Sequence, residues 1–150
     1  MIIAVDAAGG DHYPKNPVLG ALAAIKEFER LTILLVGPKK LVQNELSKHS
    51  FDQDRIQVVD SPEIVEMTDS ASAALKQKPN SSIAKGISMH KQGQCHGFVS
   101  AGNTGALLAA SMFILGKLEG ISRPTIATYY PSLEGFRLII DAGANLEIKS

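Results

Sequence analysis

The stretch Ser100-Ala101-Gly102-Asn103-Thr104-Gly105 gathers small and hydrogen-bonding residues between two apolar runs, HGFV at 96–99 and ALLAASMFIL at 106–115. The first run reads as a short buried strand and the second as a buried helix, which puts the turn where a helix begins. There the leading N–H groups lack partners within the helix and the peptide dipoles leave partial positive charge, so phosphate or a developing oxyanion is stabilised. Gly102 and Gly105 have no Cβ to hold a ligand off the backbone, and Ser100, Asn103 and Thr104 add side-chain donors. The same G-x-x-G spacing also fits a tight strand-to-helix connection with no ligand. It is neither a Walker A sequence nor a dinucleotide fingerprint, and Ser100 lacks the G-x-S-x-G elbow of an acyl-enzyme serine.

A second glycine loop, Asp6-Ala7-Ala8-Gly9-Gly10-Asp11-His12, directly follows the apolar start IIAV. In open α/β sheets the loops at the C-terminal strand ends share one crevice, so this loop, the 100–105 loop and the segment at 141–145 are expected to converge. Asp6, Asp11 and His12 have the donor types for a divalent cation, though their spacing matches no metal signature. Hydrogen bonds from the carboxylates to loop amides are the alternative. His12 equally suits proton transfer or contact with phosphate. The stretch Met67-Thr68-Asp69, followed by Lys76, Lys78, Ser81, Ser82 and Lys85, sets cations and hydroxyls beside a helix start. That arrangement suits a phosphate, and it also suits a solvated lysine face with a serine cap.

The elements that must position these residues follow from periodicity. Apolar runs at 2–7, 32–37, 55–60, 97–101, 125–130 and 137–142 read as strands. They lack strict polar alternation, which implies burial on both faces and hence a mainly parallel sheet covered by helices. The segment 16–30 carries Val18, Leu19, Leu22, Ile25 and Phe28 at helical spacing, and 38–48 follows with Pro38 suited to a first helical turn. Shorter helices are expected at 70–78 and 82–92. Pro79 breaks between them, and Ser81 is placed to cap the second. With no repeat or long linker, residues 1–150 read as one α/β domain.

At 45% hydrophobic, 150 residues suffice for a real core. Fifteen Lys and Arg balance fifteen Asp and Glu, so no global field favours nucleic acid or an anionic surface. The single cysteine, Cys95, excludes an intrachain disulfide and fits a reducing, cytoplasmic compartment. Asp6 interrupts the apolar N-terminus too early for a signal peptide. The apolar run at 106–115 is about half of the ~20 residues a membrane span requires.

Taken together and in order, VDAAGGDH at 5–12, EIVEMTD at 63–69, ALKQKPNSSI at 74–83, SAGNTGALLA at 100–109, GISRPTIA at 120–127 and DAGAN at 141–145 resemble the PlsX-type phosphate acyltransferases of phospholipid synthesis. Ala8 stands where that family usually has Met, and Ala142 where it has Leu or Val. The resemblance implies a Rossmann-like, three-layer α/β/α fold of the phosphotransacetylase and isocitrate dehydrogenase group. It also implies conversion of acyl-acyl carrier protein and inorganic phosphate to acyl phosphate, with no metal or organic cofactor. It implies a cytoplasmic homodimer that contacts the membrane peripherally through parts beyond this chain, which would be the N-terminal portion of a longer enzyme. Carried onto this sequence, Asn103, Thr104 and His12 are expected to act in catalysis. Gly9, Gly10, Asp11, Lys76, Ser81, Ser100, Gly102, Gly105, Arg123 and Asn145 are expected to bind substrate or phosphate. A phosphotransacetylase-like enzyme using a coenzyme A thioester, or a non-catalytic binding domain, would share several of these features.

Overall fold

Strands that are apolar on both faces need cover on both, and the order of elements supplies it. The computed structural model describes residues 1–121 and 124–140. They divide between two compact units, Met1–Leu115 and Gly116–Ser150. In the first unit, β1 (Ile2–Asp6), β2 (Thr32–Gly37), β3 (Ile56–Asp60) and β4 (Gly97–Val99) form a four-stranded parallel sheet in the order β3-β2-β1-β4. Between them run α1 (Lys15–Glu27), α2 (Lys39–Leu46), α3 (Ala71–Gln77) and α4 (Ser82–Lys91). After β4 come α5 (Thr104–Ala110) and a π-helical turn, Ser111–Leu115.

On one face Val18, Leu22 and Ile25 of α1 and Val42 and Leu46 of α2 bury against Ile33, Leu35 and Ile56 of the sheet. On the other, Met89 of α4 and Cys95 pack against Ala4, Leu34 and Val36. A third cluster joins Ile83 and Ile87 of α4 to Ala106 and Ala110 of α5, Ala74 of α3 and Val65. Each large aliphatic side chain so buried contributes about 1.5–3 kcal/mol. The helices expected at 16–30, 38–48, 70–78 and 82–92 are all present, with every end within three residues of the expected one. The expected Ser81 cap forms, its hydroxyl accepting from the Ala84 amide at 3.4 Å. The helix expected at 106–115 changes character after Ala110, and Met112, Phe113 and Leu115 are exposed rather than buried.

The second unit corrects one expectation. The runs at 125–130 and 137–142 do form strands, β5 (Ala127–Ser132) and β6 (Gly135–Ile140), but they pair with each other, antiparallel, as a separate two-stranded sheet. The reason is length: a parallel crossover needs a dozen or more residues, whereas only Leu133 and Glu134 separate these strands. Gly135 closes the turn at φ 107°, a conformation that disfavours a side chain.

Candidate functional site

Strand order reverses at β1, which has β2 on one side and β4 on the other. Such a switch point leaves a crevice at the C-terminal strand ends. The glycine loops of the sequence leave from the two strands that flank it. Val5 lies opposite Val99 in the sheet register, so Asp6 and Ser100 emerge side by side.

Asp6 is 2% exposed. Its Oδ1 accepts from the Ala8 amide at 3.0 Å and its Oδ2 from the Ser100 hydroxyl at 2.7 Å. Ser100 Oγ in turn accepts from the Gly102 amide at 3.0 Å. The two loops touch backbone to backbone. A Cβ on Gly9 would stand 2.4 Å from Asp6 Oδ2 and 2.9 Å from the Gly102 nitrogen. One on Gly102 would lie 3.2 Å from Gly9 Cα. Glycine at 9 and 102 therefore serves the approach of one loop to the other, where the sequence suggested approach of a ligand. Gly10, at φ 86°, instead turns the chain.

Asn103 is also buried, and its amide is fully engaged. Oδ1 caps α5 by accepting from the Ala106 amide at 2.9 Å. Nδ2 donates to the carbonyls of Glu66, Met67 and Asp69 at 3.1, 3.2 and 2.9 Å. The residue ties the 66–69 loop to the second glycine loop. Thr104 and Gly105 are exposed at the start of α5, and among the described residues their N–H groups meet no acceptor. His12 and Asp11 are exposed on the first loop. These two, with Asp6, Gly9, Gly10 and Ala101, line the polar end of a 690 Å³ groove. Apart from Asn16 its remaining walls are apolar, including Ile3, Val5 and Val99 of the sheet and Ala21 and Ala24 of α1.

Other residues singled out in the sequence lie elsewhere or are occupied. Ser81 is buried under its capping bond. Lys78 pairs with Asp69, and this hydrogen bond, aided by the Glu66 amide, holds the Asp69 carboxyl below its usual range. Lys85 donates to the Asp60 carbonyl at 2.6 Å. Lys76 is exposed on α3, the helix whose Ala71 faces Gly105. Arg123, Asn145 and the rest of 141–145 lie outside the described residues. Sequence reasoning grouped Met67-Thr68-Asp69 with the lysines that follow it and missed its tie to Asn103. Its signal, a buried Asn whose Nδ2 donates to three carbonyls of that loop, is visible only once distant segments meet.

Residues 1–150 match the family model described as fatty acid synthesis protein. The phosphate acyltransferase of Salinibacter ruber is 46% identical over 149 residues, covering 98% of this chain and 44% of that protein. That of Halothermothrix orenii is 43% identical over 149 residues, covering 99% of this chain and 45% of the relative. The chain thus spans less than half the length of these relatives. A phosphotransacetylase from Streptococcus pyogenes superposes with a TM-score of 0.66 at 19% identity, over 99% of this chain and 48% of that one. This likeness bears out a three-layer α/β/α fold with a mainly parallel sheet. With every residue matched by the family model and the relatives aligned through both glycine loops, the chain belongs to the fatty acid synthesis protein family.

Proposed function

We propose that this chain carries part of the phosphate and thioester site of an acyltransferase. The reaction converts acyl-acyl carrier protein and inorganic phosphate to acyl phosphate and free carrier protein, for fatty acid and phospholipid synthesis. The observation that carries this reading is the alignment of phosphate acyltransferases over essentially the whole chain, through two loops that meet at the sheet's switch point.

A phosphate oxygen attacks the thioester carbonyl carbon. The new C–O bond forms, negative charge gathers on the carbonyl oxygen, and the C–S bond breaks with its electron pair leaving on sulfur. The proton of hydrogen phosphate ends on the carrier's thiol. The free amides of Thr104 and Gly105, with the Thr104 hydroxyl, supply donors for phosphate or the oxyanion. Losing one such donor in a transition state costs ~3 kcal/mol. His12, exposed on the first glycine loop, suits the proton transfer. Gly10 and Asp11 line the groove from the first loop, and Lys76, Arg123 and Asn145 are further contacts in the proposal. Asn103, Ser100 and Ser81 contribute through the shape of the loops rather than by touching the ligand. The enzyme is proposed to be a cytoplasmic homodimer with peripheral membrane contact; among the described residues no helix is long and apolar enough to cross a membrane.

The fold likeness to a phosphotransacetylase favours one rival, a coenzyme A thioester as acyl donor. Both readings are tested by supplying full-length protein with phosphate and either acyl-acyl carrier protein or acyl-coenzyme A. Phosphate-dependent acyl phosphate from the carrier thioester supports the proposal. Product from the coenzyme A thioester alone favours the rival, and none from either donor refutes both.

A further inference from the structure

The two side chains that join the glycine loops have no direct task in the proposed reaction, yet their bonding is complete and one-directional. The Gly102 amide can only donate, so Ser100 Oγ accepts from it and must turn its own proton toward Asp6. Asp6 answers with one oxygen while the other holds the Ala8 amide of its own loop. The chain of bonds therefore runs from the second loop to the first without a gap, across 94 residues of sequence. The backbone contact of Gly9 with Gly102 blocks the loops from sliding closer, and the Asp6–Ser100 bond blocks them from parting.

We infer that Asp6 and Ser100 are positioning residues that join the two glycine loops into one wall, fixing the loop that carries His12 against the loop that leads into Thr104 and Gly105. The inference rests on the acyl-transfer reading of the site. It goes beyond that reading by separating residues that touch phosphate from residues that set where phosphate is met. Misplacing reacting groups by about 1 Å costs on the order of 100-fold in rate. Cutting this bond is thus expected to slow turnover without removing any ligand contact.

The test uses the full-length enzyme with Ser100→Ala, Ser100→Thr, Asp6→Asn and the double variant Asp6→Asn/Ser100→Ala. Ser100→Ala is expected to lower kcat about tenfold or more, with KM for the acyl donor within about threefold of the parent. Ser100→Thr, which keeps the hydroxyl, restores most of the rate. The double variant is no slower than the poorer single variant, because both changes break one device. Hydrogen exchange supplies a readout independent of activity. In Ser100→Ala, which leaves the buried carboxylate in place, amides at 8–12 should exchange at least about tenfold faster. Unchanged exchange at 8–12, unchanged kcat, or a double variant whose loss is the product of the two single losses overturns the inference. If the parent enzyme forms no acyl phosphate, the acyl-transfer reading falls. The exchange comparison then still decides whether the loops are joined.

Discussion

A buried amide with all its donors and acceptors engaged tolerates little change. Asn103→Ala removes the cap of α5 and strands the carbonyls of Glu66, Met67 and Asp69. Urea unfolding should register a loss of about 2–4 kcal/mol, combining roughly 1 for the cap with about 1–3 for the unmet carbonyls. Asn103→Asp should fare no better, since an acceptor would face acceptors. A loss under about 0.5 kcal/mol, the range of neutral surface changes, would mean that the clasp is not held in solution. At this scale the sequence was only half legible. Ser81 could be read as a cap because Pro79 and the apolar run after it are neighbours in the chain. Asn103 has the same residue type whether it faces a ligand or a loop 34 to 37 residues away, and only the fold decides between them.

Among the elements, the fit of α4 on β4 depends on Gly86. A Cβ there would stand 2.1 Å from the Phe98 ring, which packs into two of the core clusters. Helix propensity alone favours Ala over Gly by about 1 kcal/mol, but overpacking costs about 1–3. Gly86→Ala is therefore expected to destabilise, and to do so much less in a Phe98→Leu background; thermal unfolding of the four-variant cycle measures both. Stabilisation by Gly86→Ala alone would contradict the packing.

The link from the 66–69 loop to the end of α3 carries a pH signature. The Lys78 hydrogen bond, with the Glu66 amide behind it, lowers the folded pKa of Asp69. A depressed carboxyl contributes stability that is present above its unfolded pKa, near 3.9, and lost as pH falls through the folded value. Lys78→Met should flatten the acid limb of a urea-midpoint profile below about pH 4 and leave its shape near neutrality unchanged. An acid limb as steep as the parent's would show that the pair is not formed. Element positions were otherwise well marked in the sequence, because apolar periodicity is local. Pairing was not: strands were read at 125–130 and 137–142, while the antiparallel partnership of 127–132 with 135–140 followed from the short turn between them.

At the scale of the whole molecule, the order β3-β2-β1-β4 brings the two glycine loops to one crevice, and this was legible from their place after apolar strands. The groove beneath them was not, because it depends on how far α1 stands from β1 and β4. Val99, on the edge strand, is 56% exposed and forms part of its wall. The central claim is that the joined loops make one anion site. Its most direct test is an amide NMR titration of the full-length protein with inorganic phosphate. The account predicts that the amides of Gly10, Asp11, His12, Thr104 and Gly105 shift together along one binding curve, while those of the exposed Lys39 and Lys40 stay in place. Shifts confined to one loop, or spread over the exposed lysines with both loops silent, would contradict it.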